Sequence, residues 1–408
     1  MLLKSTFVPL FTAIPARGHP GKLSVSSVRN AVAQRCPPTS RQNGPSNTTS
    51  LLLLHKLPPT SAYIHLPFCR KRCHYCDFPI IALGSSSSNS GDDKDDPRIL
   101  NYLETLCREI KATKLDSANR PPLETVFFGG GTPSLVPPRL VSSVLDALSY
   151  KFGVCSNAEI SMEMDPGTFG EGKLKELMNL GVNRVSLGVQ AFQEELLKAC
   201  GRAHGVRETL SIWEQSLQLT IQAQPTHVSV YDLQVEQETK FGSCKSSFTL
   251  QSTALWISYS PGEFPLPSEN QSAEFYRVAS RMLRDADYDH YEISSYCKSG
   301  YRCKHNSIYW KNKPFYAFGL GSASYVDGVR FSRPRRLKEY MDYVQNLENG
   351  LTNCSEDDIF DAKDLAMDVV MLSLRTADGL DLKSFKKLSV THISPFVRYT
   401  GLMWKVGM

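Results

Sequence analysis

No stretch of this sequence is apolar for long enough to cross a bilayer. A span needs roughly 18–20 residues, and the longest aliphatic run, Leu51 to Leu54, is far shorter. A strong charge excess is missing too. The net charge of +5 over 408 residues is too small to point to nucleic acid as a partner. The eleven cysteines are odd in number and scattered, whereas secreted disulfide frameworks are short, even-numbered and dense. What remains is an ordinary globular composition, 41% hydrophobic and 21% charged, with room for one large domain and a smaller one.

Acid is absent from the first 60 residues, which hold Lys4, Arg17, Lys22, Arg29, Arg35, Arg41 and Lys56 among many Ser and Thr. Basic, hydroxyl-rich and acid-free is the composition of an organellar transit peptide, so residues 1–58 are expected to be a leader for chloroplast or mitochondrion. The alternative is a disordered basic tail with no address. A secretory signal fits less well, because no apolar core follows a short basic start.

From about residue 59 β-rich apolar runs alternate with helical patterns. Strands are expected at 62–66, 125–128, 159–163, 184–189, 227–233 and 290–294. Helices are expected near 98–114, 137–149, 171–180, 193–200, 206–219 and 272–286. This alternation predicts an α/β fold with a parallel sheet. A partial (β/α) barrel suits it, because polar residues cluster at strand C-terminal ends, where such barrels place their sites. Residues 59–296 form this core and 297–408 a small C-terminal region. Ser85–Ser88 with Gly91–Asp96 reads as an exposed polar loop. The Ser-, Thr- and Pro-rich stretch 244–267 reads as an insertion.

Three cysteines, Cys69, Cys73 and Cys76, stand in C-x3-C-x2-C spacing directly after the first of these strands. Three thiolates on one loop can hold three irons of a 4Fe-4S cluster and leave the fourth open, whereas clusters that only carry electrons close all four with cysteine. A structural zinc site is the main alternative. It wants four ligands in paired spacings, and here His74 lies within the loop and no second C-x2-C pair follows at a typical distance. Lys71 and Arg72 would favour the thiolates, although solvated surface charge explains them as well. A second motif, VFFGGGTPS at 126–134, sits between strand and helix, and its glycines allow close approach and offer N–H groups to anionic oxygens. Glu163, Gln190 and Arg202 follow on successive βα units, where they can converge on one mouth.

The cysteine loop resembles the signature of the radical S-adenosylmethionine (SAM) superfamily. That resemblance implies a cluster whose open iron chelates the amino and carboxylate groups of SAM, and whose electron cleaves the S–C bond to release a 5′-deoxyadenosyl radical. It also implies SAM contacts from Tyr63, Tyr75, Gly130, Gly131, Thr132, Glu163, Gln190 and Arg202. YIHLPFC (63–69), YCDF (75–78), FFGGGTPS, MDPGT (164–168), GVNRVSLGVQAF (181–192), GRAHG (201–205) and HNxxYW (305–310) resemble the HemN/HemW group over roughly residues 60–375. That group holds two functions, oxygen-independent coproporphyrinogen III oxidase and heme chaperone. The oxidases carry a further cysteine two residues after the third ligand. Phe78 stands there, as in the chaperones. The resemblance therefore implies heme as bound ligand, with His305 as a candidate heme-facing residue, although a structural histidine is an equal reading. The heme acceptor and the electron donor are left unnamed. The sequence departs from the group near 205–215, where one βα unit is expected to be missing, near 244–258, which look inserted, and beyond about Leu388, where the C-terminal domain is expected to be truncated.

Overall fold

The computed structural model describes residues 10–12, 57–84, 96–115, 120–189, 210–231, 239, 269–351, 362–382 and 385. Gln190, Arg202, the helix expected at 193–200, most of the polar loop at 85–96, the insertion at 244–258 and the tail beyond Leu388 lie outside the described residues.

The centre is a sheet of nine strands. In chain order they are β1 (Leu10–Thr12), β2 (Ser61–Leu66), β5 (Leu123–Gly130), β6 (Val154–Met164), β7 (Arg184–Leu187), β8 (His227–Ser229), β9 (Asp289–Glu292), β10 (Ser295–Cys297) and β11 (Tyr316–Phe318). Short strands β3 (Phe68–Cys69) and β4 (Ile81–Ala82) pair with each other, as do β12 (Ala323–Val326) and β13 (Val329–Ser332). The large sheet runs β11-β2-β5-β6-β7-β1-β8-β10-β9, and β11, β2, β5, β6 and β7 are mutually parallel. Helices α1 (Pro97–Ala112), α2 (Pro138–Phe152) and α3 (Glu171–Asn179) connect successive parallel strands, as the alternation predicted.

Strand periodicity sorts the side chains. Ala62, Ile64 and Leu66 of β2, Val126 and Phe128 of β5, and Ile160, Met162 and Met164 of β6 are buried in one core with Leu103, Leu106 and Ile110 of α1 and Val141, Val144 and Leu148 of α2. The opposite face carries Ser61, Tyr63 and His65 in register with Thr125, Phe127 and Gly129. Thr125 and Phe127 are in turn level with Glu159 and Ser161 of β6. This polar face becomes the barrel interior. Helix α1 starts where Asp96 accepts from Arg98 N (2.9 Å) with Pro97 in the first turn, a favoured start because proline has no N–H to lose there.

Three features were not expected. Residues 290–294 do not form one parallel strand: β9 and β10 are an antiparallel hairpin, and the Glu292 carboxylate accepts from Ser294 N (3.1 Å) at its turn. Strand β11, from the region assigned to a separate C-terminal part, extends the core sheet beside β2. Between β7 and β8, where the parallel array was expected to lack a strand, β1 stands antiparallel to both. Helix α4 (Leu210–Gln222) then leads into β8.

Helix α5 (Glu269–Asp285) leads into β9, and the C-terminal part is completed by α6 (Lys304–Trp310), α7 (Leu337–Glu348) and α8 (Ala362–Ser373). A buried network locks it to α1. The Glu109 carboxylate receives Arg333 Nε (2.7 Å), Tyr340 OH (2.7 Å) and Gly319 N (2.9 Å). Both members of the ion pair are almost fully buried, at 4% and 0% side-chain exposure. Breaking such a pair strands a charge in the interior. Arg333→Ala should therefore cost about 3–5 kcal/mol in a chemical-denaturation experiment, and Glu109→Gln with Arg333→Met should recover part of that. A loss near zero for Arg333→Ala would contradict the role assigned to the pair.

Candidate iron–sulfur and SAM site

The site sits where β2, β5 and β6 end. The chain leaves β2 at Leu66 and passes directly into the cysteine loop. It returns through β4, where Ile81 N and, just past the strand, Leu83 N donate to Pro67 O (2.7 Å) and Cys69 O (2.8 Å). Cys76 N donates to Cys73 O (3.2 Å), closing the turn that carries the last two thiols. All three are free thiols and partly buried. Cys73 and Cys76 both bear electrostatically on Cys69, and Cys73 bears on Cys76. Among the described residues, no three His, Cys, Asp or Glu side chains stand close enough to hold a single metal ion.

Burial outweighs the expected help from the basic residues. It pushes the Cys69 thiol up to about 12 and raises that of Cys76. The Arg72 charge pulls the Cys76 thiol the other way but does not win. Its guanidinium instead donates to Cys76 O (3.1 Å) and Phe78 O (3.0 Å), bracing the turn. Lys71 is exposed.

The glycine-rich turn packs against this loop, and it does so with its own amides. Gly130 N donates to Glu163 Oε2 (3.1 Å), Gly131 N to Leu66 O (2.9 Å) and Thr132 N to Phe68 O (2.6 Å). The expectation that these N–H groups face an anionic ligand is corrected accordingly. The need for glycine is steric. Gly130 has φ +114°, and a Cβ on it would lie 2.6 Å from the His65 ring, while one on Gly131 would lie 2.7 Å from Phe68 O. The turn thus brings Thr132 Oγ1 within 3.6 Å of Cys69 Sγ. It is tied to the MDPGT loop by Ser134 Oγ, which meets Thr168 Oγ1 (2.5 Å) and accepts from Asp165 N (3.1 Å). Arg70 donates to Gly167 O (3.2 Å), joining the same loop to the cysteines.

Of the residues singled out from sequence, Tyr63, Gly130, Gly131, Thr132, Glu163 and Cys69 come together here. Burial raises Glu163 to about 7, so a cationic neighbour is what would restore its charge. Tyr75 lies half-buried between Cys73 and Cys76. His65 was passed over, although it stands inside YIHLPFC. Its Nδ1 is 3.3 Å from Tyr63 OH and its Nε2 3.2 Å from Pro79 O, and burial lowers it to about 4.

His305 is elsewhere. It is fully buried at the N-terminal ends of β2 and β5, the opposite end of the strands from the cysteines. Nδ1 lies 2.9 Å from Ser61 Oγ and 2.8 Å from Thr125 Oγ1, Nε2 lies 2.8 Å from Tyr309 OH, and the ring stacks on Phe127 at 5.0 Å. With both nitrogens engaged, neither is free to face heme, which corrects that expectation. Glu159 explains the placement: its carboxylate accepts from Lys304 N (3.3 Å) and His305 N (3.2 Å) and draws the start of α6 into the barrel floor.

Burial lowers His305 to about 3 and His65 to about 4, and also lowers His227. The unfolded chain therefore binds more protons as pH drops below 6.5, the ordinary value, and stability is lost from there towards pH 4. Glu163 and Glu292, both raised by burial, act oppositely, Glu163 losing its stabilisation as pH rises through about 7, but burial also lowers His290, so four histidines stand against two carboxyls. The denaturation midpoint should fall between pH 6.5 and 4. His305→Gln should lower the midpoint at pH 7 and flatten that decline. An unchanged slope in the variant would show that His305 is not held neutral by the fold.

Residues 63–228 match the Radical SAM superfamily. The heme chaperone HemW of Synechocystis sp. is 38% identical over 351 residues, covering 79% of this chain and 80% of that protein. "Radical S-adenosyl methionine domain-containing protein 1, mitochondrial" of Danio rerio is 27% identical over 64% of this chain and 59% of its own. Among solved structures, coproporphyrinogen III oxidase (HemN) from Escherichia coli matches with a TM-score of 0.66 over 88% of this chain and 86% of that one. At 18% identity that likeness speaks for the fold alone.

Proposed function

Since this chain belongs to the radical SAM superfamily, in its HemW group, we propose that it is a heme chaperone. It binds heme and hands it to acceptor hemoproteins, and it carries a 4Fe-4S cluster on Cys69, Cys73 and Cys76. The observation that carries this reading is the 38% identity to a heme chaperone across four-fifths of both chains, joined to Phe78 where the group's oxidases have a cysteine.

The donor set fits a cluster. Three thiols share one braced loop and lie within electrostatic reach of each other, and thiolate is the usual ligand of such clusters. Reduced by one electron, a cluster there would supply reductive cleavage of SAM. The protein's part is binding and placement. Thr132 donates to the Cys69 sulfur, a contact of the kind that tunes metal ligands. Glu163, oriented by Gly130 N, suits the SAM amino group, and the other resemblance-derived contacts, Tyr63, Tyr75, Gly131, Gln190 and Arg202, would complete the SAM site. His305 is proposed as a residue of the barrel floor, with heme bound elsewhere.

An organellar address is part of the proposal. The acid-free leader and the mitochondrial name of one relative support it. No described helix is long and apolar enough to cross a membrane.

Anaerobic reconstitution should yield about four irons per chain, lost on replacing any of Cys69, Cys73 or Cys76 by Ala and retained in Cys107→Ala. The protein should bind heme and should not decarboxylate coproporphyrinogen III. Conversion to protoporphyrinogen IX would overturn the chaperone reading, and tight zinc without iron–sulfur absorption would overturn the cluster. Residues 1–58 fused to a fluorescent reporter should direct it to chloroplasts or mitochondria; a diffuse cytosolic signal would contradict that.

A further inference from the structure

The ends and the middle of the cysteine loop are held by different parts of the chain. The ends are fixed close by: Phe68 and Cys69 pair with Ile81 and Ala82, and Arg98 at the start of α1 donates to Ala82 O and Leu83 O, both at 2.9 Å. The middle, which carries Cys73 and Cys76, receives a bracket from more than 250 residues away in sequence. Arg335 Nη2 donates to the carbonyl oxygen of Asp77 (2.5 Å) and to its carboxylate Oδ1 (2.9 Å). Asp77 directly follows Cys76.

Arg335 projects from a rigid base. Two residues earlier, Arg333 is locked into the buried pair with Glu109. Pro334 O accepts from Gly321 N (2.9 Å). Gly321 itself lies so close to the loop that a Cβ there would be 2.6 Å from Pro79 Cγ. Leu320 N donates to Tyr102 OH (3.0 Å), and the same hydroxyl donates to His65 O (2.8 Å) at the end of β2. The segment 319–335 therefore touches the end of β2, Pro79 and Asp77 in succession, and Arg335 is its last contact.

We propose that Arg335 is a positioning residue for the iron–sulfur loop. It fixes the Cys73–Phe78 turn from the C-terminal region, so that the cluster site is completed by a part of the chain outside the cysteine motif. This rests on the reading of the three cysteines as cluster ligands. A single guanidinium nitrogen, Nη2, reaches both acceptors with its two N–H groups. Its charge also offsets that of a carboxylate next to a thiolate ligand. The pair is exposed, with Arg335 58% and Asp77 21% accessible. Such pairs add little to global stability, so the effect is confined to the loop.

The test uses the full chain with Arg335→Ala, Arg335→Lys, Asp77→Asn, and Arg336→Ala as a control. Arg336 is an exposed neighbour whose guanidinium pairs with Glu339 at 3.2 Å, not with the loop. Two readouts are taken: hydrogen exchange of residues 73–79 in the metal-free protein, and the rate of iron loss from the reconstituted protein to a strong iron chelator. Arg335→Ala should exchange faster over 73–79 and lose iron roughly tenfold faster, the low end for groups that support metal ligands, with an unchanged thermal midpoint. Asp77→Asn keeps both acceptor oxygens and should stay close to wild type, while Arg335→Lys should fall between. Wild-type exchange and iron loss in Arg335→Ala, or an equal effect from Arg336→Ala, would overturn the proposal. Failure of the wild type to take up iron would remove the cluster reading instead, and the exchange experiment on metal-free protein would still decide the role of Arg335 in holding the turn.

Discussion

Glu109 is fully buried near the end of α1, and its carboxylate is met from three sides by Arg333, Tyr340 and Gly319 N. A buried carboxylate is tolerated only when its oxygens are satisfied, so these three partners must arrive together. Their arrival has a structural consequence. It fixes the exit of β11 and the segment up to α7 against the helix that follows the cysteine loop. Tyr102, two turns earlier on α1, binds the His65 carbonyl and Leu320 N with one hydroxyl. The C-terminal region is thereby built into the cysteine end of the sheet rather than appended to the barrel.

Around that anchor the site is assembled from backbone as much as from side chains. The glycine turn spends its amides on Glu163, Leu66 and Phe68, which stacks three strand ends into one surface. The Cys69 sulfur and the Glu163 carboxyl group lie on that surface, each held by one contact from the turn, Thr132 Oγ1 and Gly130 N. The floor is closed by a different kind of polar contact. Glu159 holds the first amides of α6, and His305 is shared between Ser61, Thr125 and Tyr309. One end of the barrel is satisfied within the protein, and the other presents donors for ligands.

Sequence showed well what depends on local pattern. Alternation at 62–66, 125–128 and 159–163 found the strands that frame the site, and helix periodicity located α1, α2 and α3 to within a few residues. Cysteine spacing and the glycine turn located the site itself. Long-range pairing could not be read. Nothing in Tyr316–Phe318 announces that it lies beside β2, and nothing near Glu109 in sequence announces its partner Arg333, 224 residues later. His305 drew a functional reading because it stands in a motif. Its burial comes from Glu159, 146 residues earlier. The pairing of β1 with β7 and β8 is likewise long-range, reached from the far end of the chain.

The central proposal is that Cys69, Cys73 and Cys76 would hold a cluster with one iron open to SAM, beside Thr132, Gly130 and Glu163. Electron paramagnetic resonance of the reduced, reconstituted protein, recorded with and without SAM, tests it most directly. A ligand on the open iron must change the spectrum, so SAM should shift the signal, and the shift should weaken in Glu163→Gln. A reduced cluster whose spectrum is identical with and without SAM would contradict the claim.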